Sequence, residues 1–263
     1  MSITLNGTTG VTTSGLTSNG IDDNATSTAI TIDASENVGI NTSSPNSYYA
    51  KKLVVDCGTD GQNGITIKSS TTGAGMFAFA DGTSGSDRYR GYINYNHAND
   101  SMTLGTAGGA GVLTIDATGA VTMPHQPAFL VKPNTEQSNI ALAGNVTVLF
   151  QTEIFDQNAD FANNTFTAPV SGKYQLNFSL YLKTINDAYQ YIYARIQTSN
   201  RNYEVEIYPS TIFNSDGRIT IGAGFLADMD ASDTAFVTVQ VPNTGSAQMD
   251  IVVYSTFSGY LAC

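Results

Sequence analysis

Four pairs of closely spaced acidic residues are the positions at which this chain could carry out hydrolytic chemistry. Two carboxylates at a suitable separation can cleave a glycosidic bond, one as general acid and the other as base or nucleophile. Glu204 and Glu206 alternate onto one face of a predicted strand, about 7 Å apart by the strand repeat. That spacing suits an inverting hydrolase, but a solvated strand face has the same pattern, so we do not expect catalysis. The pairs are Asp22 with Asp23, Asp156 with Asp160, Glu204 with Glu206, and Asp228 with Asp230.

Histidine and metal chemistry have little support in the sequence. The chain has 2 histidines; His97 lies in a predicted turn and His125 in a linker, and no G-x-S-x-G motif accompanies them. Walker loops and zinc-ligand spacings are also absent from the sequence. Asp228, Asp230 and Asp233 offer clustered oxygens for calcium, but their order matches no EF-hand loop, so an acidic surface turn is expected there. We predict a protein that is not an enzyme and has no required cofactor, with calcium binding left open.

The elements that must position these residues are predicted to be strands. Only 13% of the 263 residues are charged, whereas 25 are glycine, 14 tyrosine and 12 phenylalanine. Such a composition, rich also in threonine, serine and asparagine, favours strands and turns over helices. The predicted fold class is therefore all-β.

Charge excludes two classes of partner. The formal net charge is −11, from 22 acidic and 11 basic residues, and the cations are scattered, with Lys51–Lys52 the tightest group. Binding to nucleic acid or to an anionic membrane needs clustered cations, so neither is expected. The sequence has no apolar run long enough to span a membrane and no secretory signal at its start. Cys57 and Cys263 are expected to be one core thiol and one tail thiol rather than a disulfide.

Three regions follow one another along the chain. Residues 1–24 are rich in glycine and carry only isolated apolar residues, so a single copy cannot bury enough apolar surface to become ordered. Residues 25–124 contain short predicted strands and form a fibre shaft or small β-domain. Two prolines in Met123–Pro127 mark a boundary, and residues 125–263 form the third region.

The middle region contains an internal echo. Ala29–Ile40 resembles Val112–Met123: each reads as an alternating strand, a turn and a second short strand. We interpret the pair as one hairpin reused at either end of a module. Pro45–Lys52 is the only helical turn predicted in this half. The strands predicted between the hairpins are Leu53–Val55, Ile65–Lys68, Met76–Phe79, Tyr89–Tyr95 and Ser101–Leu104.

The third region has longer, more aromatic strands. Their number and length suit a two-sheet antiparallel sandwich or jelly roll. The predicted strands are Ala128–Lys132, Val146–Phe155, Tyr174–Lys183, Tyr189–Thr198, Tyr203–Tyr208, Arg218–Leu226, Ala235–Val241 and Gln248–Phe257.

One motif in this region resembles a known head domain. Phe166–Phe178 reads FTAPVSGKYQLNF and follows Phe155, Asp156 and Phe161 at a short distance. It is similar to the core motif of the trimeric globular head of complement component one, subcomponent q, which is related in fold to tumour necrosis factor. The departures are Leu176, where that family usually has an aromatic residue, and the short gap before Phe161. The resemblance implies a jelly roll that assembles as a trimer.

The middle region resembles a second kind of protein. Asn37–Pro45, followed by Lys52–Val55, and later Arg90–Met102 are similar to phrases that recur in bacteriophage tail-fibre shafts. In such fibres three chains intertwine or pack closely. The resemblance implies a trimeric shaft that leads into a trimeric head.

A tyrosine-rich strand has two interpretations. Tyr189, Tyr191, Tyr193 and Arg195 alternate onto one predicted face, which could stack on sugar rings or lie along a trimer axis. We favour the axis. The predicted trimer interface comprises Tyr174, Tyr189, Tyr191, Tyr193, Phe257 and Tyr260, and the predicted receptor contact comprises Asn200, Arg201 and Asn202 in the loop after this strand.

The leading hypothesis is a homotrimeric virion fibre protein of a bacteriophage, displayed on the virion surface after synthesis in the host cytoplasm. Residues 1–24 attach it to other virion proteins, and the head binds a host glycan or protein. A capsid decoration or head-fibre protein is the alternative, and a glycan depolymerase is the third. The residues expected to make the attachment are Ile3, Leu5, Val11 and Leu16.

Overall fold

A computed structural model describes residues 29–59, 61–141, 144–185, 189–209, 217–240 and 248–263. Strands dominate these ranges, which confirms the all-β prediction. The chain divides into two compact units, residues 1–69 and 70–263. The predicted boundary at 124/125 stays a prediction. Within the described ranges, no helix has the length and apolar character needed to cross a membrane.

The described part of the first unit is a small three-stranded sheet. Strand β1 (Ile30–Ile32) pairs antiparallel with β2 (Val38–Ile40), which pairs parallel with β3 (Leu53–Val55). The first predicted hairpin is thereby confirmed. Its turn is held by Asp33, whose Oδ1 accepts hydrogen bonds from the backbone N–H groups of Ser35 and Asn37 at 2.8 and 3.0 Å.

Two local predictions in the first 124 residues differ from the structure. Ile65–Lys68 alternates in sequence but forms no strand, because no neighbouring segment pairs with it. The helical turn predicted after Pro45 is a short 3-10 helix, Pro45–Ser47, but a second one, Gly85–Tyr89, was not predicted.

The second unit begins with a five-stranded antiparallel sheet, here called the middle sheet. Its strands lie side by side in chain order, and their bounds are β4 Ala74–Phe79, β5 Gly91–Asn96, β6 Ser101–Gly105, β7 Gly111–Ile115 and β8 Val121–Thr122. Hairpin β7–β8 repeats the first one: Asp116 Oδ1 accepts from the N–H groups of Thr118 and Ala120 at 2.8 and 3.0 Å. His97 lies in the turn between β5 and β6, as predicted.

The head follows as two antiparallel sheets packed face to face, the predicted jelly roll. A seven-stranded sheet has the order β10-β20-β15-β21-β9-β12, with β18 beside β15. A six-stranded sheet has the order β13-β14-β19-β16-β17, with β11 beside β19. The bounds are β9 Ala128–Lys132, β10 Gln137–Ala141, β11 Val146–Thr147, β12 Thr152–Asp156, β13 Phe161–Ala162, β14 Thr165–Thr167, β15 Gly172–Lys183, β16 Ile192–Thr198, β17 Asn202–Ile207, β18 Ile219–Met229, β19 Thr234–Gln240, β20 Gln248–Ile251 and β21 Thr256–Leu261.

The core of the head lies between these sheets and is rich in aromatic rings. Phe129 stacks on Phe161 and Phe166, with ring centroids 5.3 and 4.8 Å apart, and meets Phe257 edge to face. Every second residue of β15, from Tyr174 to Leu182, is buried there. The alternation of the resembling motif is thus used to build the core.

Strand breaks account for most differences from the predicted head. The single strand predicted at Val146–Phe155 is β11 and β12, and that at Gln248–Phe257 is β20 and the start of β21, separated by a turn. The strand predicted from Tyr189 begins only at Ile192. This last difference changes which side chains share a face.

Candidate functional site: the outward faces of the head

The seven-stranded sheet turns a surface with an uncharged centre away from the core, here called the neutral face. Cross-strand pairing places Asn177 of β15 between Gly224 of β18 and Ser258 of β21. Lys173, Asp228 and Lys132 lie only toward its ends. The neutral face comprises Leu130, Gln175, Asn177, Ser179, Gly222, Gly224, Leu226, Thr256, Ser258 and Tyr260.

Small residues make the neutral face suitable for close approach. Gly222 and Gly224 carry no side chain, and the side chains of Gln175 and Asn177 hydrogen bond to each other at 3.0 Å, lying over Gly224. At one end Leu226 and Tyr260 are 57% and 50% exposed. A sheet surface with an uncharged centre and exposed apolar side chains fits burial against another protein surface.

The six-stranded sheet has a different outward surface, here called the tyrosine face. Arg195 of β16 forms an ion pair with Glu204 of β17, lies 4.8 Å from the ring centroid of Tyr193, and donates through Nη1 to Asn145 Oδ1 at 2.6 Å. The tyrosine face comprises Tyr191, Tyr193, Arg195, Glu204, Glu206 and Tyr208.

Its three tyrosines form one aromatic cluster. The Tyr191 ring lies 5.1 Å from that of Tyr193 and 6.2 Å from that of Tyr208, in edge-to-face arrangements. Burial chiefly raises the pKa of Tyr193, and a hydrogen bond to Glu206 chiefly raises the pKa of Tyr208. Both hydroxyls therefore remain protonated at neutral pH and can donate to an acceptor.

The loop after β16 is fastened to the acidic turn before β19. Asn200 Nδ2 donates to Asp228 O at 3.0 Å and to Asp233 Oδ2 at 2.9 Å, and Arg201 pairs with Asp228 at 2.7 Å. The pKa of Asp228 is lowered, first by a backbone hydrogen bond and then by the Arg201 charge. An open depression of about 370 Å³ lies here, lined by Ser171, Gly172, Lys173, Asn200, Asp228, Met229 and Asp230.

Comparison with known families decides the identity of the head. The C1q domain family matches residues 128–262. The chain belongs to the C1q domain family. Domains of this family typically self-associate as homotrimers and are generally not enzymes.

Solved structures are similar to about half of the chain. The globular domain of zebrafish complement 1qA is 22% identical over 53% of this chain and 98% of its own, with a TM-score of 0.41. Murine APRIL at pH 8.0 is 11% identical over 52% of this chain and 98% of its own, with a TM-score of 0.38. No curated protein matches the chain.

Half of the predicted trimer interface is enclosed inside one copy of the C1q domain. Tyr174, Tyr189 and Phe257 are at most 1% exposed, so they have no surface left for a second copy. The Tyr174 hydroxyl donates to Val170 O at 2.7 Å, and the Tyr189 hydroxyl donates to Gln248 O. Tyr189 was misplaced because β16 begins after it, so strand alternation does not extend back to it.

The other predicted interface residues are divided between the two surfaces of the domain. Tyr260 lies on the neutral face, whereas Tyr191 and Tyr193 lie on the tyrosine face beside charged residues. Of the predicted receptor contacts, Asn200 and Arg201 are held in the fastened loop and Asn202 is exposed at the start of β17. The roles of these residues stay predictions, and the attachment residues Ile3, Leu5, Val11 and Leu16 lie outside the described ranges.

Several of the carboxylates singled out in the sequence, those of Asp156, Glu204 and Asp228, are engaged by groups of the same domain. Asp156 accepts from the N–H groups of Asp160 and Phe161 at 3.1 and 2.8 Å. Glu204 pairs with Arg195, whereas Glu206 bonds the neighbouring tyrosines, so the two do not act on one point. Asp22 and Asp23 lie outside the described ranges.

The three aspartates considered for calcium do not form a ligand set. Asp233 Oδ2 accepts from the Asp230 N–H at 2.8 Å and from Asn200, while Asp228 faces Arg201. Among the described residues, no three acidic, histidine or cysteine side chains are placed to hold a metal ion. Cys57 and Cys263 are both free and exposed. The expectation that one of them is a core thiol was wrong, because Cys57 follows the end of the short strand β3.

Proposed function

We propose that the protein is a non-enzymatic homotrimeric fibre protein on the surface of a bacteriophage particle. The C1q domain forms the trimer and is the distal head, and residues 1–24 bind other virion proteins. The head binds a glycan or protein of the host surface. The observation that carries the proposal is the neutral face on a domain of a trimer-forming family.

The two outward surfaces differ in how well they suit self-association. The centre of the neutral face has no charge to desolvate, and Gly222 places no side chain between its backbone and a neighbouring chain. The tyrosine face carries Arg195, Glu204 and Glu206, which favour contact with solvent or a polar ligand. We therefore assign the trimer contact to the neutral face, and Tyr191 and Tyr193 to an outward surface.

The tyrosine face and the adjacent loop are where the head would contact a host. Tyrosine rings stack on sugar rings and their hydroxyls bond to sugar oxygens, at a low entropic cost. Replacing Tyr191 by alanine should weaken binding of the labelled trimer to host cells at least tenfold. The variant should still sediment as a trimer. Asn202→Ala tests the loop in the same way. Unchanged binding by both variants would argue against this surface.

The trimer itself is tested by sedimentation of the full chain. The expected mass is three times 27.8 kDa, about 83 kDa. Asn177→Glu places three carboxylates in the proposed contact and should yield monomers. Gln197→Glu makes the same change on β16 of the other sheet and should leave the trimer intact. A monomeric parent, or dissociation by Gln197→Glu alone, contradicts the proposal.

The viral role rests on the order of the regions: a glycine-rich segment, fibre-like phrases and then a trimer-forming head. Deleting residues 1–24 should leave a trimer that no longer joins particles. A capsid decoration or head-fibre protein is the second candidate, since a trimer-forming head also suits a threefold site on a shell. Imaging of whole particles distinguishes density at the tail from density on the shell.

A glycan depolymerase is the third candidate. Incubating the purified trimer with host polysaccharide should release no reducing ends. If the parent protein releases reducing ends and the Glu204→Gln or Glu206→Gln variant does not, the enzymatic function replaces the structural one.

A further inference from the structure

The middle sheet has one side that is apolar across all five strands, here called the apolar face. Pairing aligns Phe77, Ile93, Leu104 and Leu113 in one row and Tyr95, Met102, Ile115 and Val121 in the next. Because paired residues point to the same side, both rows lie on one surface. With Phe79, the apolar face comprises Phe77, Phe79, Ile93, Tyr95, Met102, Leu104, Leu113, Ile115 and Val121.

The opposite side of the same sheet is mainly polar. The row that alternates with those above contains Met76 on the edge strand and then Asn94, Thr103, Thr114 and Thr122. This contrast is what an antiparallel sheet shows when one side packs on a core and the other faces water. The composition of the middle sheet therefore indicates that its apolar face packs against another protein surface.

The described part of the second unit does not cover the apolar face. Phe77 is 49% exposed, Phe79 64% and Leu104 37%. No large apolar side chain of the middle sheet is buried, although the described head buries an extensive core. An uncovered apolar patch of this extent marks an interaction surface.

We propose that three copies of the chain pack their apolar faces together around the axis of the trimer, as a three-sided prism. This is a second trimer interface, separate from the neutral face, and it rests on the homotrimer proposed above. In this arrangement residues 74–122 hold the three copies together outside the head.

Continuity with the head identifies further copies as the occupant. Strand β8 ends at Thr122 and β9 begins at Ala128, so residues 123–127 form the link. Five extended residues reach at most about 18 Å. Three middle sheets held by such links to one trimeric head are at a high effective concentration, so their association costs little additional entropy.

Charge and size agree with this occupant. The strand positions of the apolar face carry no charged residue, so identical faces meet without repulsion. Five strands span roughly 24 Å, and in a triangular prism of that side each sheet lies about 7 Å from the axis. Packed sheets are about 10 Å apart, or about 5 Å from their midplane. Large side chains such as those of Phe77, Leu104 and Met102 suit the extra depth.

Cross-linking of the full chain tests the prism. In a Cys57→Ser, Cys263→Ser background, Leu104→Cys places a thiol on the central strand β6, where three copies would meet near the axis. A short bis-maleimide should join chains within the 83 kDa trimer at least ten times faster than in the control Thr103→Cys. Thr103 is the adjacent residue and points to the polar side.

A second pair of variants guards against a cross-link made by chance. Leu104→Glu should speed amide exchange in β5, β6 and β7 at least tenfold, while Thr103→Glu should leave it unchanged. A trimer in which neither pair shows a difference overturns the prism but leaves the head trimer standing. A monomeric parent overturns both.

A competing occupant is the segment 1–28 of the same chain. If they cover the apolar face, their deletion raises binding of an apolar dye and Leu104→Cys gives no cross-link between chains. That pair of results overturns the prism. Efficient cross-linking that persists after the deletion supports it.

Discussion

The head and the middle sheet use the same alternation of apolar and polar residues but cover their apolar sides differently. In the head the topology brings a second sheet over the first, and the enclosed core includes Phe129, Leu176 and Phe257. In the middle sheet, the strands follow one another in chain order and no second layer forms in the described chain. The alternation of apolar and polar residues thus determines which side of a sheet is apolar. The connections between strands determine whether another part of the same chain packs on that side.

The largest effect that separates the two regions is expected from removing a phenyl ring. Phe257→Ala leaves a cavity against Phe129 and Phe150 and should lower the free energy of unfolding by about 3–5 kcal/mol. Met76→Ala, on edge strand β4 and on the polar side of the middle sheet, should cost under about 1 kcal/mol because that side chain is 46% exposed. Denaturant unfolding at one fixed protein concentration measures both. Equal losses in the free energy of unfolding would contradict the difference in burial between the two side chains.

Adding a methyl group sharpens the comparison. At Gly259 a Cβ would lie 2.6 Å from Leu176 Cδ2 and 2.8 Å from Phe129 Cε1, so Gly259→Ala should cost about 1–3 kcal/mol. At Gly91 in the middle sheet the nearest atom, Phe79 Cδ2, is 3.4 Å away, and Gly91→Ala should be tolerated. Thermal unfolding of the two variants provides the measurement. A greater loss in Gly91→Ala would mean that the middle sheet is the more tightly packed region.

The two echoing hairpins offer a matched pair of turn positions. Gly119 has φ +86° and Glu36, at the equivalent place in the first hairpin, has φ +60°. A side chain in this region is strained, so Gly119→Ala should cost about 1 kcal/mol and Glu36→Gly should be neutral or gain up to about 1 kcal/mol. Thermal unfolding measures the change, and the same sign for both variants would show that the turns are not equivalent.

Acid should affect two aspartates in opposite directions, with small effects. Hydrogen bonds, first from the Thr118 side chain, lower the pKa of Asp116, so its stabilisation is present above pH 3.8 and lost as pH falls through the lowered pKa. Burial, and after it the charge of Asp156, raises the pKa of Asp160 above 3.8. Ionisation of Asp160 therefore lowers the stability of the folded state, and this loss develops as pH rises above 3.8 and through the raised pKa.

The corresponding variants should therefore differ in sign at pH 7. Asp116→Ala loses stability relative to the parent, whereas Asp160→Asn gains it, and both differences shrink as pH falls below 3.8. Unfolding curves between pH 3 and 7 test this. A destabilised Asp160→Asn at pH 7 would mean that the carboxylate has a favourable partner there.

Local patterns predicted much of the fold. The bounds of β9 match the prediction residue for residue, and the hairpin echo is reproduced down to the aspartate that caps each turn. Both depend on alternation or turn chemistry, which a sequence records directly.

The misses concern contacts between distant segments. Ile65–Lys68 has strand alternation but no pairing partner, and β10 forms because β20 lies beside it. Tyr189 shares a sequence period with Tyr191 and Tyr193, yet the chain bends between them, so its ring enters the core. The trimer interface could not be assigned residue by residue because aromatic alternation alone does not distinguish a core side from an outward one.

The position of β21 has a consequence for how the head is made. This strand, Thr256–Leu261, lies between β15 and β9 in the middle of the seven-stranded sheet. A ribosome delivers β9 first and β21 after every other strand of the head. The sheet therefore cannot close during translation of the preceding 120 or so residues. Until β21 emerges from the ribosome, the backbone groups on one edge of β9 have no strand to pair with. We therefore expect trimer assembly to begin only after β21 has emerged.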